Sequence, residues 1–131
     1  MGNMRIHGIG IDIVDTARIQ DSIERFGDRF LDRIFTAPEK AYCSAMSNAE
    51  RNYAARFAAK EAIAKALGTG IGADLAWTDM EILRNEKGKP SAQLTGAGKA
   101  FMERNGIVEI QISLSHADNH AAANAIAIAY D

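Results

Sequence analysis

The chain has 131 residues and an ordinary globular composition, which excludes a disordered polymer, fits one domain better than two, and leaves little surface for a deep private pocket. A formal net charge of −2 gives no overall electrostatic footprint for nucleic acid. The single cysteine, Cys43, cannot close an intrachain disulfide and fits a reducing, cytoplasmic setting, while no apolar run approaches the roughly 18 residues of a membrane span and Met1-Gly2-Asn3-Met4-Arg5 lacks a signal-peptide core.

Residues 6–14 alternate large apolar side chains with Gly, His and Asp. That period of two predicts a strand whose isoleucine face packs on a core. Gly8 and Gly10 leave the other face bare, so that another backbone or a ligand can come close. Asp12 shares that face and calls for a cation nearby, because an unpaired buried carboxylate is costly. His7 reads as a strand residue with one hydrogen bond.

From Asp15 to about Phe35, Ile19, Ile23, Phe26, Phe30 and Ile34 recur at helical spacing, with Gly27 expected to break or bend the helix. Arg18, Arg25, Arg29 and Arg33 form one stripe if the helix is nearly continuous. The stripe reads either as a solvated face, with Asp21, Asp28 and Asp32 beside it, or as a docking surface. Pro38 opens a short helix to about Met46. Ser47 and Glu50 have the spacing of a capping box before a longer helix that stops at Gly68. Alanines at 54, 55, 58, 59, 62, 64 and 66 mark this as a central helix contacted on several sides.

A glycine loop, Gly68-Thr69-Gly70-Ile71-Gly72, follows. Trp77 to Leu83 alternate as a strand, Asn85 to Pro90 turn, and Ser91 to Leu94 pair back. Thr95 to Asn105 predict a short helix stopped by Gly106. Residues 107–115 form a strand with Ile110, Ile112 and Leu114 inward, and residues 121–130 a last, small and apolar strand. The order predicts a single-domain α+β fold, with a mainly antiparallel sheet packed on the long central helix.

Glu61 and Lys65 lie four apart on one helix face, beside the small Ala54 and Ala58. Alone they read as a surface ion pair or as part of a site. With Asp12 they supply two carboxylates and a cation, a donor set suited to Mg²⁺ and phosphate oxygens. The glycine loop after this helix reads as a plain turn or as a phosphate cradle; it lacks the order of a Walker or Rossmann loop. Ser113-Leu-Ser-His116 ends a strand, and without a Gly-x-Ser-x-Gly elbow it argues against a serine hydrolase. His7, His116 and His120 have no zinc spacing.

Four ordered motifs then carry a resemblance. Gly8-Ile-Gly-Ile-Asp-Ile-Val-Asp15 with Arg18-Ile19, Arg56-Phe-Ala-Ala-Lys-Glu-Ala62 with Lys65-Ala-Leu-Gly-Thr-Gly-Ile71, Gly88-Lys-Pro90, and Ser113-Leu-Ser-His116 resemble the holo-acyl-carrier-protein synthases, from about residue 5 to the C-terminus. The resemblance implies a 4'-phosphopantetheinyl transferase fold and transfer of phosphopantetheine from coenzyme A to a serine of apo-acyl carrier protein, Mg²⁺-dependent, in support of fatty acid biosynthesis. It implies Asp12 and Glu61 as metal ligands and, with Lys65, as catalytic residues. Arg56, Lys65, Gly68, Gly70, Pro90, Ser115 and His116 would bind coenzyme A, the last three from a neighbouring subunit of a homotrimer. Arg18, with Arg25 and Arg29, would dock the carrier protein. Ala117 stands where the family often has Thr, and residues 1–4 precede the family's usual start as an extension. Two other classes use the same residues: a Mg²⁺-dependent hydrolase of nucleotide pyrophosphates, and a non-catalytic module that binds coenzyme A or a carrier protein.

Overall fold

The computed structural model describes residues 2–131. Strand β1 (Met4–Asp15) leads into helices α1 (Thr16–Phe26) and α2 (Asp28–Ile34), then α3 (Ala37–Ser44) and the long α4 (Ala49–Leu67). A 3₁₀ turn (Trp77–Asp79) precedes β2 (Met80–Arg84), β3 (Pro90–Leu94), α5 (Gly96–Arg104), β4 (Ile107–His116) and β5 (His120–Tyr130). The strands make an antiparallel sheet in the order β1-β5-β4 and a separate β2-β3 hairpin. Among the described residues no helix is long and apolar enough to cross a membrane.

Helix α4 is the centre of the core. Twelve of its nineteen residues are buried, and the alanines let β1 and β5 come close on one side. Gly8 and Gly10 are the other half of that contact: a Cβ on Gly10 would lie 1.9 Å from the carbonyl oxygen of Ala62, and one on Gly8 2.0 Å from that of Ala66. The bare glycine face of β1 therefore meets backbone, not ligand.

The isoleucine face behaves opposite to expectation. Ile9, Ile11 and Ile13 are 69%, 68% and 68% exposed, because the glycine side is the one laid on α4. Ile126 and Ile128 of β5 share this open face by register, with Tyr130 at its end. The alternation of β1 is real, but the face it marks as apolar is uncovered in the single chain.

Other differences are local. The expected helix over 15–35 divides at Gly27, whose φ of 54° is one that side-chain-bearing residues rarely adopt. The arginine stripe is thus split between α1 and α2. The Ser47–Glu50 capping box does not form: Asn48 is the N-cap of α4, with no side-chain cap bond. The reciprocal box is instead at Thr36 and Glu39, opening α3. Trp77–Asp79 coil into a 3₁₀ turn in place of strand, since the Asp79 carboxylate accepts the Ala76 N–H and fixes a turn there. Asn3 and Met4, in the expected extension, are held to the C-terminal strand: Met4 pairs with Tyr130, and the Asp131 N–H donates to the Asn3 carbonyl at 3.1 Å.

Candidate active site

Strand β1 is an edge strand, and its free edge runs past α4. Gly8 sits against Ala66 and Gly10 against Ala62, so the next residue on that face, Asp12, arrives further toward the start of α4, close enough to Glu61 for the two carboxylates to repel. From the helix, Lys65 reaches back. Its ammonium donates to the Ile11 carbonyl at 2.8 Å and to Asp12 Oδ1 at 3.2 Å. The cation that Asp12 calls for is therefore Lys65, rather than Lys65 pairing with Glu61 along the helix.

Glu61 makes no ion pair among the described residues. Partial burial pushes its carboxyl above the usual carboxylate range; the nearby Asp12 charge pushes the same way, against Lys65 and Arg18. A cavity of about 320 Å³, lined by Ile11, Asp12, Ile13, Lys65 and Ala122, opens here and continues round the strand edge onto the open sheet face.

Gly68 ends α4 with φ 82°, its N–H donating to the carbonyls of Ala64 and Lys65. The loop through Gly70 starts there, three residues after Lys65. His7 secures the junction with a 3.1 Å hydrogen bond to the Leu67 carbonyl. Pro90 opens β3 and lies in the hairpin.

Ser115 and His116 close β4, with β5 between them and β1. Register places Asp12 opposite Ala123 and Ala123 opposite Leu114, so Ser115 points to the open face while Asp12 points to the helix face. One protomer does not bring Ser115 to the carboxylates. Nor does Arg56 join them. It is 1% exposed, with its guanidinium 4.4 Å from the centre of the Tyr42 ring and its Nε without a partner.

Arg18 and Arg25 lie on α1 and Arg29 on α2. Arg25 pairs with Asp21 at 3.8 Å. Arg29 and Arg33 line a groove of about 490 Å³ with Ser22, Phe26 and Phe30, at the corner that Gly27 makes.

Sequence reasoning missed a buried pair directly before Glu61. Lys60 and Glu39 are both fully enclosed, with Nζ and Oε1 2.7 Å apart. Lys60 also donates to the carbonyls of Ile34 and Trp77, and Glu39 accepts the N–H groups of Thr36 and Ile82. The signal was present: Lys60 falls three after Phe57 and three before Ile63, on an apolar stripe.

The profile of the 4'-phosphopantetheinyl transferase superfamily matches residues 8–126, which include every member of this cluster. The chain belongs to that superfamily. Within it, the chain sits among the holo-[acyl-carrier-protein] synthases. It is 45% identical over 121 residues to the holo-[acyl-carrier-protein] synthase of Koribacter versatilis, covering 92% of this chain and 97% of that one. With that of Chlamydia trachomatis it shares 45% over 120 residues, covering 92% and 98%. Among solved structures it resembles the Neisseria meningitidis holo-[acyl-carrier-protein] synthase with TM-score 0.88 and 35% identity over 94% of this chain and 98% of that one. The Helicobacter pylori enzyme in complex with coenzyme A gives TM-score 0.81 and 35% identity over 91% and 98%. As a phosphopantetheinyl transferase, the chain is an enzyme.

Proposed function

We propose that the chain transfers 4'-phosphopantetheine from coenzyme A to a serine hydroxyl of apo-acyl carrier protein, releasing adenosine 3',5'-bisphosphate, in support of fatty acid biosynthesis in the cytoplasm. The observation that carries this is the convergence of Asp12, Glu61 and Lys65 at the β1–α4 seam in a chain of this family.

The cluster fits a divalent cation. Two carboxylates meet where burial and mutual repulsion raise one of them. Mg²⁺ is the ion such a pair suits, since it keeps several positions for water and phosphate oxygens. Asp12 and Glu61 would hold it, and when bound it supplies positive charge against the pyrophosphate. Lys65 binds a phosphate oxygen beside them and offsets charge on the leaving side. The serine proton would pass to Glu61 or to a water beside it as the hydroxyl attacks the β-phosphorus. Gly68 and Gly70 lead the chain past the pantetheine arm.

The enzyme acts as a homotrimer, with coenzyme A bound between subunits. Support comes from the open face of β1 and β5: exposed Ile9, Ile11 and Ile13 form a contiguous apolar surface of the kind subunits cover. Ser115 lies on that face, away from its own Asp12, so a second copy seated there carries Ser115 and His116 toward the first copy's cluster. Pro90 completes the nucleotide end; Arg56, buried beside the Tyr42 ring, is not open to coenzyme A in the protomer. The acidic carrier protein docks along α1 and the α1–α2 corner, where Arg25 and Arg29 flank exposed Phe26 and Arg18 lies two turns back toward the start of α1.

The test is the intact mass of a purified apo-acyl carrier protein after incubation with enzyme, coenzyme A and Mg²⁺. A gain of one phosphopantetheine, absent with chelator, is the expected result. Loss of coenzyme A without a gain in mass would mean hydrolysis, and would overturn the proposal.

A further inference from the structure

A lysine four residues after a glutamate on a helix ordinarily folds back onto it. Lys65 does not. Its ammonium leaves the helix, crosses to the edge of β1, and spends two of its three donors on the Ile11 carbonyl at 2.8 Å and Asp12 Oδ1 at 3.2 Å. Glu61 is left with no cation in contact among the described residues. The ammonium thus takes hard oxygen donors, one of them from a carboxylate that a divalent ion would also use.

The two partners differ in freedom. The Asp12 side chain is 18% exposed and fixed by its strand, whereas that of Lys65 is 53% exposed, on a flexible four-carbon stem. A cavity beside them is open enough to admit an incoming group and to receive the displaced ammonium.

We infer that Lys65 is a placeholder cation: in the free enzyme it neutralises Asp12 at the metal position, and it moves off when the ion takes the carboxylate and a phosphate takes the ammonium. The inference rests on the reading of Asp12 and Glu61 as metal ligands. It makes Lys65 a competitor of the metal before coenzyme A arrives and its collaborator afterwards. The free enzyme then holds a divalent ion weakly, and coenzyme A strengthens the site partly by drawing Lys65 away. A cation that acted only through the general field would not do this. Arg18 supplies the comparison, a cation of α1 that makes no ion pair with Asp12 or Glu61 among the described residues.

The experiment is a Mn²⁺ titration followed by electron paramagnetic resonance, first without coenzyme A and then with it, on wild type, Lys65→Met and Arg18→Met; affinities are compared in its absence. Lys65→Met keeps the apolar stem and removes the charge. It is expected to bind Mn²⁺ about fivefold tighter or more, the scale of one unit charge removed from contact distance. Arg18→Met is expected to change affinity by about twofold at most, as a more distant, screened charge would. Binding by Lys65→Met where wild type shows none supports the inference equally. Unchanged or weaker binding in Lys65→Met overturns it, and so does equal tightening in both variants, which would reduce Lys65 to a field effect. If none of the three binds Mn²⁺ with or without coenzyme A, the metal reading fails and the placeholder falls with it.

Discussion

The contact between β1 and α4 both holds the core and aims Asp12, so Gly10→Ala tests fold and site together. The added Cβ would lie 1.9 Å from the Ala62 carbonyl oxygen and 2.8 Å from both Ala62 C and Ala66 N. An ordinary carbon–oxygen contact is about 3.3 Å, so strand and helix must part by roughly 1.4 Å there. All three obstructing atoms are backbone, and no rotamer change relieves them. Overpacking of this sort costs about 1–3 kcal/mol, and rigid backbone on both sides puts the variant near the upper end. For a domain of this size that lowers Tm by about 10 °C. Separation of β1 from α4 also carries Asp12 away from Glu61, so the transfer rate should fall even where the variant remains folded. The assay is thermal melting at equal protein concentration beside carrier-protein mass gain, with Gly72→Ala as the control. A Cβ at Gly72 meets nothing within 4 Å, and that variant should melt like wild type. If Gly10→Ala melts within about 2 °C of wild type, the close approach is not a constraint and the argument fails.

Further outcomes follow from other parts of the molecule. Lys60→Met leaves Glu39 charged and enclosed, and breaking such a pair costs about 3–5 kcal/mol; adding Glu39→Gln should recover part of the loss in urea unfolding, and no recovery would count against a paired role. Burial pushes the Cys43 thiol up from 9.0 to about 11. Below pH 9 the associated stability is fully present, and it is lost as pH rises through 11, because the unfolded chain ionises first. The advantage of wild type over Cys43→Ala should therefore shrink over that window by at most about 3 kcal/mol, and a constant difference would refute it. Association with an acidic carrier protein should slow as salt rises, with Arg25→Ala and Arg29→Ala flattening the dependence in stopped-flow; a flat wild-type response would remove the docking role.

The parts of this fold visible in the sequence are those in which one residue decides one event. Gly8 and Gly10 announced a close approach, Gly27 a break, Gly68 a stop, and the alanines a helix packed on several sides. Asp12 announced its need for a cation. What stayed hidden depends on partners far along the chain. The alternation of β1 marks an apolar face without saying what covers it, and in the protomer nothing does. Ser47 and Glu50 have the spacing of a capping box, yet Asn48 is the N-cap of α4 and the box forms at Thr36 and Glu39, where Glu39 also meets Lys60 and Ile82. Lys65 has an obvious neighbour at Glu61, but its reach to Ile11 and Asp12 is set by where β1 lies. The separation of Ser115 from Asp12 onto opposite faces needed the register of β5 between them.

The most direct test of the Asp12–Glu61–Lys65 assignment is carrier-protein mass gain in a single turnover, comparing wild type with Glu61→Gln at equal enzyme concentration. Glu61→Gln is nearly isosteric and Glu61 makes no ion pair among the described residues, so its circular dichroism and melting should match wild type. The account predicts no phosphopantetheine transferred by that variant, and full transfer by it would contradict the account.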